Sequence, residues 1–176
     1  MVIEPGRHAP RIEGDFVVFL IGARINRFRS LGAWLPVVRA MPRMLAELDR
    51  DPELGLLHSW GARRGLREAV LIQYWRSFEH LHAYARARDA AHLPAWAEYN
   101  RAIKDNDAVG IWHETFLVQA GQYEAIYGNM PRHGLGHVGE FVDARGARTS
   151  ALGRLGRSSG DDQPLDADGG PAADAA

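Results

Sequence analysis

The sequence contains no cysteine, which excludes disulfides, thiolate metal sites and a cysteine nucleophile. Lysine is almost missing too. Lys104 stands alone among 21 cationic residues, and we read the arginine excess as genomic base bias rather than function. Neither sign of charge dominates: the formal net charge is −1 and the arginines are scattered, which argues against a nucleic-acid partner. No long apolar run is present. The longest, Phe16 to Ala23, is too short to span a bilayer, and it follows Glu13 and Asp15 rather than a basic segment, so no signal peptide or membrane partner is expected. HExxH, GxGxxG and Walker words are absent. A 2-His-1-carboxylate set can be assembled only by choosing freely among eight histidines, so no metal site is expected. These absences leave a soluble, cytoplasmic protein.

What is present is a run of regular elements. Residues 1–13, with Pro5, Gly6 and Pro10, read as an extended N-terminal arm. Phe16 to Phe28 reads as a strand. Leu31 to Asp49 has helical spacing, with Leu31, Leu35, Val38, Met41, Met44, Leu45 and Leu48 on one face. Ser30 suits the N-cap, and Pro42 should kink or divide the helix. Leu54–Trp60 and Glu68–Trp75 read as strands joined by the turn-like GARRG. Ser77 opens a second helix with Phe78, Leu81, His82 and Ala85 on one face. A break near Asp89–Leu93 precedes a helix through Trp96, Tyr99 and Ile103, since Pro94 suits a first turn. VGIWHETFLV, 109–118, is the last strand. QYEAIYGNMPRHGLGH reads as an ordered loop, and residues 142–176, poor in large apolar side chains, as a disordered tail.

The order β-α-β-β-α-β is the split βαβ of ferredoxin-like α+β folds with an antiparallel sheet. Two helices cover one face of such a sheet, yet Val17, Phe19 and Ile21 on one face are matched by Val18 and Leu20 on the other. With no spare element to cover the second face, a homodimer is expected.

FLIGARINRF, WLPVVRAMPRML, YWRSFEHLHAYAR, AHLPAWAEYN, VGIWHETF and YEAIYGNMPRHGLG, in that order, resemble a monooxygenase-like family of unknown function (DUF4188 type) in the dimeric α/β-barrel superfamily. The resemblance covers roughly residues 14–141 and implies a dimer sharing a barrel, with a cleft between sheet and helices in each subunit. The wider superfamily holds cofactor-independent monooxygenases, haem-degrading enzymes, chlorite dismutases and haem-dependent aldoxime dehydratases. Fold alone does not choose among them.

The candidate site starts from Trp112-His113-Glu114 in the last strand. Alternation puts His113 with Ile111 and Thr115 on one face, and Trp112, Glu114 and Phe116 on the other. Either His113 faces a cleft, or it is a satisfied core histidine with Glu114 in a salt bridge. His92, before Pro94 and near Trp96, aims into a cleft or caps the next helix. Its helix resembles the one carrying the axial histidine of haem-degrading relatives. Asn26 ends the first strand and is carried over from an oxygen-binding asparagine of the same relatives, or it is a strand-end asparagine. Arg24, Tyr123, Tyr127 and Asn129, with Trp112 and Trp96, are candidate substrate contacts. His133 lies in the same Tyr-rich loop. His80 and His82 read as one solvated and one packed residue.

The expected function is an oxygenase-like enzyme acting on a small hydrophobic organic molecule. His113 or His92 would be the general base, since imidazole titrates near neutral pH, with Glu114 and Asn26 completing the catalytic set. The cofactor is none or haem b, the latter with His92 as axial ligand. The alternative is a non-catalytic small-molecule or haem-binding dimer.

Overall fold

The computed structural model describes residues 2–87 and 107–157. Two compact units emerge: Asp15–Leu117, and the chain ends Met1–Gly14 with Val118–Ala176.

In the first unit, β2 (Phe16–Ile25), β3 (Leu56–Arg64), β4 (Glu68–Trp75) and β5 (Val109–Val118, whose last residue falls in the other unit) form a sheet in the order β3-β4-β2-β5. With α1 (Leu31–Arg50) and α2 (Phe78–Arg86) this is the ferredoxin-like βαββαβ arrangement. The β2–β4 pairing is antiparallel and opposes Val17 to Trp75, Phe19 to Gln73 and Ile21 to Leu71. Those three pairs lie on one face, and Leu20 with Ile72 on the other.

α1 runs for 20 residues through Pro36 and Pro42 without division. Each proline removes one N–H donor, but the apolar face holds the helix against the sheet, and helices in proteins owe most of their stability to such packing. Leu31 and Val38 are exposed. Ala33 and Leu48 are the buried residues of the helix, and of the expected face Met41, Met44 and Leu48 point inward. Ser30 occupies the N-cap but makes no side-chain capping bond. Ser77 does cap α2: its Oγ accepts from the His80 backbone N and lies 2.9 Å from His80 Nδ1. The Ser77 hydroxyl bond holds the Glu79 carboxyl below its usual range. Val17, Leu48, Trp75, Leu81 and Tyr84 form the core, with Trp75 only 1% exposed. The Tyr84 hydroxyl donates to Glu47 at 2.8 Å, and burial with that carboxylate pushes the phenol above its ordinary range.

The chain ends correct three expectations. Glu4–Arg11 is not a free arm but strand β1. The Tyr-rich segment supplies β6 (Tyr127–Met130) rather than loop alone, and β7 (Glu140–Asp143) starts before the expected tail boundary and runs past it. Together they make an antiparallel sheet in the order β6-β1-β7. The expected disordered tail also carries a 3-10 turn at Gly146–Thr149 and a short helix α3 at Ala151–Arg154, and Ala144 is buried. Residues 158–176 lie outside the described residues.

Polar side chains tie this sheet. Asn129 Oδ1 accepts from the Gly6 backbone N at 2.9 Å. Tyr123 Oη accepts from Ile12 N at 2.6 Å, and Tyr127 Oη accepts from Gly136 N at 3.3 Å. Arg11 pairs with Glu140, and Arg154 Nε donates to Glu124 at 2.6 Å. His8 stacks on Phe141 with ring centroids 4.9 Å apart, its Nε2 3.2 Å from Asp143. Its Nδ1 is buried without a partner among the described residues.

Candidate functional site

A cleft of about 320 Å³ opens between the two helices and the sheet face they cover. α1 lines it with Val37, Ala40, Met41 and Met44, spaced i, i+3, i+4 and i+7. Phe78, Leu81, His82 and Ala85 face it from α2, Phe19 and Ile21 from β2, and Ile111, His113 and Thr115 from β5. The walls are thus almost wholly apolar, and the polar exceptions are His82, His113 and Thr115. Next to the cleft, and sharing Met41, Met44, Leu81 and Ala85 with it, lies a recess of about 50 Å³ bordered by Leu48, Gln73, Trp75 and Tyr84.

The two imidazoles are held by ring contacts. His113 packs against Phe19 with centroids 5.6 Å apart, tilted by 41°. His82 stacks on Phe78 one turn earlier, at 5.7 Å. Both stay exposed, which leaves their ring nitrogens open to a molecule entering the cleft. An apolar cavity with a few polar groups is the usual form of a small-molecule site.

Among the described residues, His113 is the predicted catalytic residue that lines the cleft, on the face shared with Ile111 and Thr115 as strand alternation requires. Glu114 and Trp112 lie on the opposite face, where Trp112 covers Gly22 so closely that any Cβ there would collide with its indole. Asn26 does not line the cleft. Its Nδ2 donates to the Asp107 carbonyl at 2.8 Å, and its backbone N donates to Ala108, so it joins the end of β2 to the start of β5. Arg24 is paired with Glu68 at 3.4 Å. Tyr123, Tyr127 and Asn129 belong to the other unit, where the bonds described above give each a structural partner. His92 and Trp96 lie outside the described residues.

Two site residues escaped the sequence reading. His82 shares a helix face with Phe78 and Ala85 in the sequence, and that face, read there as packing, lines the cleft. Gln73 is the second: a lone amide on the inward face between Leu71 and Trp75, which is the signal that should have drawn attention.

Haem b was tested against the same walls. The described lining residues include no arginine or lysine to meet the two propionates, and the expected axial histidine is outside the described residues. The described walls are those of a site for an apolar organic molecule.

Comparison with solved structures supports the fold. An aldoxime dehydratase matches with TM-score 0.61 at 19% identity, covering 81% of this chain and 43% of that one. A second, solved with butyraldoxime, gives TM-score 0.57 at 18% identity, covering 71% of this chain and 37% of that one. By sequence, Monooxygenase af470 of Aspergillus fumigatus is 33% identical over 135 residues. That match takes in 72% of this chain and 45% of the fungal protein, so the chain spans less than half the length of its curated relative. The family model for Monooxygenase af470-like proteins matches residues 16–135, and the chain belongs to that family.

Proposed function

We propose that the protein is an oxygenase-like enzyme acting on a small hydrophobic organic molecule held in the cleft between α1, α2, β2 and β5. The observation that carries this reading is the placement of His113 and His82 in an otherwise apolar cavity of about 320 Å³, in a chain of a monooxygenase-like family. The apolar walls supply affinity, roughly 25 cal/mol for each Å² of apolar surface removed from water. The imidazoles supply the chemistry that methionine and phenylalanine cannot: each can accept a proton from an acidic C–H or O–H of the bound molecule. His113 is the base in this reading. Its ring is fixed on one side by Phe19, while His82, in the middle of α2, binds and orients. Thr115 adds a hydroxyl beside His113.

The homodimer belongs to the same proposal. Trp112 and Phe116 leave apolar surface exposed on the outer face of β5, at 36% and 50%. A second copy of the sheet would cover it; light scattering should give twice the chain mass, and a stable monomer would contradict the dimer.

The test is dioxygen uptake by the purified protein with a panel of small apolar phenols and ketones. Uptake with at least one compound, abolished in His113→Gln while circular dichroism stays unchanged, supports the enzyme. Binding of such compounds with no uptake by any of them favours the non-catalytic binding protein instead.

A further inference from the structure

The recess behind the cleft holds a side chain whose presence the core does not explain. Gln73 is 5% exposed and is the buried polar residue of the described core. A buried carboxamide without compensation is costly, so each of its groups needs a partner.

One half is accounted for. The Trp75 indole Nε1–H donates to Gln73 Oε1 at 3.0 Å. Indole offers a donor and no acceptor, so this bond fixes which end of the amide is oxygen. The Nε2 end therefore turns away from Trp75. No acceptor for its two N–H groups lies among the described residues, yet the nitrogen is not among the buried atoms left unpaired. It borders open space, and the space that Gln73 lines is the recess.

The neighbours leave that role to Gln73. Tyr84, the other polar residue of the recess, already gives its hydroxyl proton to Glu47. Phe19, Ile21, Met41, Met44, Leu81 and Ala85 line both recess and cleft, so the two spaces adjoin.

We infer that Gln73 is a specificity-determining residue: its Nε2 amide receives an acceptor oxygen, carbonyl or hydroxyl, at the end of the substrate that enters the cleft first. The substrate is then an apolar molecule with an oxygen function at its buried end, while the end nearer His113 is where proton transfer occurs. A recess of about 50 Å³ has room for a carbonyl group and little more. Trp75 is a positioning residue in this scheme, because its indole N–H is spent on Gln73 Oε1 and acts by setting the amide orientation. A site built to hydrogen-bond a substrate oxygen rejects the analogue that lacks it, since the amide would stay unpaired. This deepens the cleft reading and rests on it.

The experiment compares 2-acetylnaphthalene with 2-ethylnaphthalene, which share a skeleton and differ in the carbonyl, by titration calorimetry on the full chain. The wild type is expected to bind the acetyl compound about tenfold more tightly, the size of one net hydrogen bond. In Gln73→Met, similar in shape but without donors, that preference should fall to about one. Since this variant removes the Trp75 acceptor and can misfold, a second measurement uses the wild type. The Gln73 side-chain N–H₂ signals in a nitrogen–proton correlation spectrum should move with the acetyl compound and not with the ethyl compound. Equal affinities, or silent Gln73 signals while Met41 and Met44 respond, overturn the inference and leave the cleft reading standing. Failure of both compounds to bind overturns the cleft reading and this inference with it.

Discussion

Between Asp15 and Leu117 the chain hides apolar side chains under two helices and leaves a cavity among them. The other unit, made from the chain ends, has strands of four to eight residues and holds them with side chains that reach backbone groups and ion pairs more than 100 residues away in sequence. Gly6 meets Asn129, Ile12 meets Tyr123 and Arg11 meets Glu140. Apolar burial is non-directional and roughly proportional to area, so the first unit can surround a cleft with apolar side chains and no fixed partners. Hydrogen bonds are directional and leave no such room. In the second unit Tyr123, Tyr127 and Asn129 are engaged in such bonds, while in the first His82 and His113 line the cleft.

The comparison can be broken from the first unit most severely by Trp75→Ala. Emptying the largest fully buried side chain, and removing the donor to Gln73, should cost about 3–5 kcal/mol, read as a fall in the urea midpoint. In the second unit, Gly139→Ala should have the next largest effect. A Cβ there would run into the Arg11 carbonyl, which is backbone and cannot swing aside. Overpacking of this kind costs about 1–3 kcal/mol, and here it should loosen β1 from β7, seen as faster amide exchange at Ala9 and Arg11 with the cleft's signals unchanged. Asn129→Ala should cost about 1 kcal/mol through the lost bond to Gly6. The left-handed backbone at Asn129, φ 50°, adds to that cost. Asn129→Gly should relieve the backbone strain but not restore the bond.

A pH experiment sharpens the first unit alone. The Tyr84 phenol is raised by burial and by Glu47, so its folded value lies above its unfolded one. Its contribution is complete below the ordinary tyrosine value of about 10 and is lost as pH rises from there toward the raised value. Urea midpoints should therefore decline above about pH 10, and less steeply in Tyr84→Phe. His113→Gln should change stability least, within about 0.5 kcal/mol, because the ring is exposed, while removing turnover.

The fold of the first unit was legible because periodicity reports on burial. Glu68–Trp75 and Val109–Val118 fall where apolar patterning put them, and Ser77 caps α2 as its position suggested. Helix phase was less secure: Leu31 and Val38 carry the right spacing but are exposed, since alternative apolar stripes overlap in a leucine- and valine-rich helix. The second unit was not legible. EPGRHAPR has no alternating apolar pattern, and its partners lie beyond residue 126, so nothing local marks it as a strand. For the site, strand alternation placed His113 correctly and separated it from Glu114. Asn26 misled because a strand-end asparagine that bridges two strands looks, in sequence, the same as one that faces a ligand. Gln73 was hidden by its neighbours, since an apolar run draws the eye past one amide.

The central claim is that the helix-covered cleft takes up an apolar organic molecule. The methionines test it directly, because Met41 and Met44 line the cleft while Met130 lies on β6 in the other unit. With methyl-labelled methionine, titration of 2-acetylnaphthalene should move the Met41 and Met44 signals saturably and leave Met130 still. Movement of Met130 alone, or of no methionine up to the solubility limit of the compound, would contradict the account.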